Sequence, residues 1–199
     1  MTSVPLRKDA ARNWQQIVEV GRRFVDEGVP LRLNDVAREA SIGVATVYRH
    51  FPTTETLLET VARPGLENLV TEANRALGAD DAWDAFAGFL LAGIDIQLAD
   101  ASVQPVFAAS THALPETAEL VGRLHAASGE LLGRAQASGV VRPDLTSQDV
   151  VRLMCGVVFA ATVHASPGER AGLTRRYLDM VLAGLRASAQ SASSVAPRP

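Results

Sequence analysis

RLNDVAREASIGVATVYRHF, residues 32–51, is the stretch from which the rest of the chain is best read. Leu33, Val36, Ala37 and Ala40 follow the i, i+3, i+4, i+7 spacing of one buried helix face. Ser41, Ile42 and Gly43 break that pattern. A second short helix then runs from Val44 towards Phe51, with Val47 and Phe51 one turn apart and able to pack inward. Val44, Ala45, Thr46, Tyr48, Arg49 and His50 are left for other faces. A short helix that keeps its hydrogen-bonding residues outward, propped by a second helix, has the geometry to enter a DNA major groove.

The segment resembles the helix-turn-helix of TetR-type transcriptional repressors, whose recognition helix commonly reads T-(V/L)-Y-x-(H/Y)-F. Thr46, Val47, Tyr48, Arg49, His50 and Phe51 stand here in that order, followed by Pro52. Asp35, Val36, Ala37 and Ala40 match the upstream D-(V/I)-A-x-x-A piece, and Glu55, Leu57 and Leu58 match the start of the next helix. The resemblance covers the first 62 residues or so; beyond them it rests on length and helical character. The sequence departs from the pattern at Ser41, where Gly is usual, and at Gly43, where a Ser or Thr cap is usual. It also has Thr54 in place of a phosphate-contacting Lys, and Arg32 where a polar Ser or Thr is common.

The resemblance implies an all-α protein in two parts. Residues 1–63 form a three-helix DNA-binding domain, and residues 64–188 a larger effector-binding and dimerisation domain. It assigns Tyr48 and Thr46 to phosphate. Arg49 and His50 have the chemistry to reach base edges or phosphates, and Val44 and Ala45 are small enough to touch thymine methyls. Arg32, Asn34 and Thr54 complete the expected DNA-facing set. One such head offers few base contacts. Specific binding therefore needs a homodimer on double-stranded DNA, with half-sites about one helical turn apart or multiples of that.

Composition is consistent with this and narrows the alternatives. Among 199 residues, 47% are apolar and 21% charged, as in an ordinary globular protein, and the net charge of −3 excludes a uniformly basic coat. Residues 1–63 hold nine basic and eight acidic residues, net +1, and the remainder hold ten and fourteen, net −4. Cys155 is the single cysteine, so no intrachain disulfide or thiolate cluster can form. The N-terminus lacks a signal-peptide core, and the apolar run Leu153 to Val163 is too short to span a bilayer. A cytoplasmic protein with no membrane partner is expected. No phosphate loop, nucleophile motif or metal spacing is present, so neither an enzyme nor a cofactor is expected.

Along the chain, residues 1–8 read as an arm whose Arg7 and Lys8 could reach phosphate. A first helix spans about Asp9 to Glu27, with Trp14, Ile17, Val18, Gly21, Phe24 and Val25 as its core stripe and Gly28 as its stop. Arg12, Arg22 and Arg23 lie off that stripe, on a solvated face or near phosphate. After the helix-turn-helix, Thr53 or Thr54 caps a fourth helix, and Pro64-Gly65 either kinks it or opens a new one reaching Leu77. Further helices are expected over Ala82 to Leu98, Ser102 to His112, Pro115 to about Ala137, and a capping box at Thr146–Asp149 to His164. A last helix runs from Ser166-Pro167 to about Ala187, about nine helices in all, and the low-complexity tail (domain boundary 189–199) should be disordered.

Two further surfaces are expected. Gly156 and Ala160 on one late helix, with Leu173, Tyr177, Met180, Val181 and Leu185 on the next, form a candidate dimer seam giving an intersubunit four-helix bundle. Trp83, Phe86, Phe89, Phe107, Leu124, Met154 and Phe159 are candidates to line an apolar cavity for a small-molecule effector, with His112 or His125 as polar contacts. Ordinary core packing produces the same helical stripes. The rival reading is a small-molecule-binding or interaction protein that keeps a degenerate head, supported by the departures at Ser41, Gly43 and Thr54.

Overall fold

A computed structural model describes residues 4–187. Among them are nine helices and no strand; one isolated antiparallel bridge joins Val141 and Arg186. The helices are α1 (Val4–Asp26), α2 (Leu33–Glu39), α3 (Val44–His50), α4 (Thr54–Leu77), α5 (Ala82–Ala99), α6 (Val103–Phe107), α7 (Pro115–Ala137), α8 (Ser147–Thr162) and α9 (Pro167–Leu185). The tail from residue 188 and the first three residues lie outside the described range.

Several boundaries follow local chemistry. Gly28 ends α1 at φ +67, with Gly28 and Val29 amides donating to the Val25 and Phe24 carbonyls. Thr53 Oγ1 accepts from the Thr56 amide ahead of α4. Pro115 opens α7 at its first position, where a missing amide is harmless. Thr146 and Asp149 form the reciprocal capping box that starts α8.

Two expectations need correction, and two points need comment. Residues 4–8 are not an arm: α1 already begins at Val4, with Pro5 in its first turn. Of the two alternatives at Pro64, the helix continues: Pro64 lies inside α4 and no new helix starts there. The helix expected to reach His112 stops at Phe107; the Ala113 and Leu114 amides beyond it donate instead to a side chain, Glu59. The helix expected over Ala82 to Leu98 is α5, and it is long and apolar enough by length and composition to cross a bilayer. Its Ala85, Phe86, Phe89, Leu90 and Ile94 are buried in the protein.

The described residues divide into two compact units. One holds the residues up to Val70 together with Ile96–Gly122; the other holds Thr71–Asp95 and the residues from Arg123. The first has a core of Ile17, Val20, Leu33, Val36, Val47, Phe51, Leu57 and Val61. Two polar ties fasten the Ile96–Gly122 segment within it. Arg22 pairs with Asp100 at 2.6 Å and also donates to the Val61 carbonyl. Glu59 is buried, and its two carboxylate oxygens accept the Ala113 and Leu114 amides at 2.7 and 2.9 Å, just ahead of α7. A carboxylate there is favoured both by charge-assisted hydrogen bonding and by the positive end of the helix. In the second unit, α8 packs on α9, and Arg134 caps the end of α4 by donating to the Leu77 and Ala79 carbonyls.

Gly65 is the tightest point of the first unit: a Cβ there would overlap Val103 Cγ2 and press on Asp100. Gly88 in α5 has open space around it. Gly65→Ala should therefore lower unfolding free energy by about 1–3 kcal/mol through overpacking. Gly88→Ala should raise it by roughly 0.5–1 kcal/mol through helix propensity. Chemical denaturation of both variants checks the pair; equal effects would mean that Gly65 is not a close contact.

Candidate nucleic-acid interface

The site is built on two helices of seven residues each. Neither has a side-chain N-cap: Arg32 precedes α2 and Gly43 precedes α3, and neither side chain caps its helix. Their position is set by packing. Leu33, Val36 and Ala37 bury one face of α2, and Val47 and Phe51 bury one side of α3 and its C-cap. Gln16 Nε2 reaches from α1 to the Ala40 carbonyl at 2.8 Å and holds the end of α2. The turn closes with the Ile42 amide on the Ala37 carbonyl at 2.9 Å, and with the Gly43 carbonyl accepting from Thr46.

Ser41 makes that turn at φ +53, the left-handed region that favours glycine. Ser41 thus places a β-carbon at a backbone position that glycine adopts more readily.

With Val47 turned inward, the 100° step of the helix turns Ala45, Tyr48 and Arg49 away from the core, and all three are exposed; Val44, three residues before Val47, is exposed at the open first turn. Arg32 and Asn34 are exposed at the start of α2; Thr46 and Thr54 are half-buried. His50 does not share the outward face. It is half-buried, its Nε2 is enclosed without a hydrogen-bond partner, and it lines a cleft on the inner side of α3. A helix position two residues after Tyr48 points elsewhere, so His50 is corrected from a base-reading residue to a wall residue. Arg23 is engaged with Glu39 at 2.6 Å and Arg22 with Asp100, so neither is a spare cation for phosphate. Trp14, expected in the core, is 41% exposed, with its ring 6.2 Å from that of Phe51.

The other candidate residues separate clearly. Phe86, Phe89, Leu124 and Met154 are buried in the second unit, where Trp83 is half-buried beneath the Arg186 guanidinium at 3.8 Å. Phe107 and His112 belong to the first unit. His125 is exposed and Phe159 is 65% exposed, so within one chain neither lines an enclosed cavity. On the expected seam, Gly156 and Met180 are exposed, and Ala160, Leu173, Tyr177 and Val181 are half-buried. Leu185 is buried in its own chain and belongs to the core. Sequence reasoning missed Glu59, Gln16 and the paired role of Arg22, whose partners lie 24 to 78 positions away.

Comparison with known proteins agrees with this geometry. Residues 22–61 match the model of bacterial regulatory proteins of the tetR family, and residues 81–187 match the C-terminal domain of SbtR-like transcriptional regulators. An HTH-type transcriptional regulator of Staphylococcus aureus is 38% identical over 69 residues, which is 34% of this chain and 37% of that protein. The match thus spans little more than a third of the curated relative's length. The TetR transcriptional regulator SCO0520 of Streptomyces coelicolor is 29% identical, with a TM-score of 0.54 over 88% of this chain and 99% of that one. FadR of Bacillus subtilis, solved with stearoyl-CoA, has a TM-score of 0.62 over 86% of this chain and 99% of its own, at 14% identity; the likeness is one of fold.

The strain at Ser41 is testable. An L-residue in the left-handed region costs about 1–2 kcal/mol, partly offset by the greater chain entropy that glycine loses on folding. Ser41→Gly should therefore stabilise the protein by about 0.5–1 kcal/mol, measured by thermal unfolding. A lower melting temperature would mean that Ser41 is not strained.

Proposed function

The chain belongs to the TetR family of transcriptional regulators, and we propose that it acts as a homodimeric repressor in the cytoplasm. Residues 1–63 read a palindromic operator, and residues 64–188 dimerise and take the small-molecule effector that releases the DNA. The observation that carries the reading is the orientation of α3: Val47 is fully buried, while Tyr48 and Arg49 are presented outward beside Val44 and Ala45. Arg49 has the donors for guanine or phosphate, and Tyr48 a hydroxyl for phosphate.

The dimer reading is supported by apolar side chains in water. Phe159 on α8 and Met180 on α9 are 65% and 59% exposed, with Val163 exposed nearby in sequence and Gly156 exposed on α8. Exposed large apolar residues on neighbouring helices mark an association surface. Phe159 moves in this reading from the effector cavity to the seam. The effector region is then Phe86, Phe89, Leu124 and Met154 with Trp83, an apolar and aromatic lining that suits an apolar or amphipathic small molecule. The effector acts by favouring a conformation whose heads no longer fit the operator; a difference in affinity of about 3 kcal/mol between the two states shifts binding more than a hundredfold.

DNA retention should fall steeply as salt rises, because phosphate contacts release counterions. Tyr48→Ala should lose about one hydrogen bond per head, so roughly thirtyfold in affinity for a dimer if each is worth about 1 kcal/mol. Fluorescence anisotropy with a labelled duplex checks both; salt-independent binding, or full affinity in Tyr48→Ala, would favour the reading with a degenerate head. Phe159→Glu should yield monomers in sedimentation experiments and lose DNA with them; a dimer that persists would place the seam elsewhere.

A further inference from the structure

The N-terminal unit contains a cleft of about 620 Å³ on the inner side of α3. We propose that this cleft is a second small-molecule site, distinct from the effector region of the other unit, and that it takes a flat aromatic cation. Its volume is that of a small-ligand pocket. Its apolar walls include Trp14, Phe51, Pro64 and Leu114. The exposed indole of Trp14 offers a face on which a planar cation can stack.

The polar lining fixes the charge. Glu59, Glu67 and Glu116 face one guanidinium, Arg63. Arg63 is already bonded to Glu67 at 2.9 Å. Glu59 spends both oxygens on the Ala113 and Leu114 amides, so Glu116 is the carboxylate left open to a ligand, in a lining of three carboxylates and one guanidinium. Two hydroxyls in the lining act as acceptors. The Thr56 and Thr60 hydroxyls spend their protons on the Thr53 and Thr56 carbonyls, each at 2.7 Å, so their oxygens face the cleft as acceptors. A ligand that carries positive charge suits this lining.

His50 is the last residue of α3 and Phe51 its C-cap, so an occupant would touch the end of the helix that presents Tyr48 and Arg49. The inference stands on the cleft alone and does not require the DNA-reading role.

Three isosteric probes test it: benzamidine (cation), benzamide (neutral) and benzoate (anion), titrated into the full-length 15N-labelled chain. The chain has two tryptophans, so NMR gives two indole signals, assigned with Trp83→Phe. Benzamidine should move the Trp14 signal and leave Trp83 in place, with a Kd on the order of 1 mM, as expected of a ligand this small. Benzamide should bind several-fold more weakly, and benzoate should leave Trp14 unmoved. Glu116→Gln, a change at an exposed position, should weaken benzamidine about fivefold while leaving the rest of the spectrum intact. The proposal is overturned if no probe moves Trp14, if benzamide or benzoate does so as well as benzamidine, or if Glu116→Gln binds benzamidine unchanged.

Discussion

The burial of Val47 is the constraint from which the rest of the head follows. Seven residues are too few for an α-helix to persist alone in water, where roughly 12–15 are marginal. The helix α3 exists because Val47 and the adjoining Phe51 are packed against Ile17, Val20, Val36, Leu57 and their neighbours. One fully buried valine contributes about 1.5–3 kcal/mol, more than the caps that this helix lacks would supply. The same burial fixes rotation about the helix axis. Once Val47 is inward, Ala45, Tyr48 and Arg49 must be outward. Stability and the proposed reading face are therefore set by one contact.

The head also extends beyond the helices that define its motif. Arg22 holds Asp100, and Glu59 holds the amides of Ala113 and Leu114, so Ile96–Gly122 is part of the same compact unit as the helix-turn-helix. Both ties end on residues next to longer helices: Asp100 follows α5 and Leu114 precedes α7. Gly65, which lets α4 approach Val103 closely, makes the contact intolerant of small adjustments.

Helical periodicity and terminal chemistry made most of the fold legible. Pro115 and the Thr146–Asp149 box each fixed the start of a helix, because those signals act within one turn of chain. What was illegible involved partners far along the sequence. Glu59 looks like any helix glutamate until Ala113 and Leu114 are brought to it. The run from Ala108 to His112 contains no breaker, so nothing local shows that α6 stops at Phe107. Apolar stripes could not distinguish inside from seam: Leu185 proved to be core, and Phe159 and Trp14 proved to be exposed. His50 satisfies the family motif as a letter, yet its ring faces inward into a cleft.

The most direct test of the account is to incubate the purified chain, stripped of co-purified ligand, with a pool of random duplexes at moderate salt and sequence what it retains. A homodimer that reads DNA through the outward face of α3 predicts an enriched palindrome whose half-sites are separated by about one helical turn or a multiple of it. No enrichment by protein shown to be folded and dimeric would contradict the account and leave a regulator-like fold whose head does not read DNA.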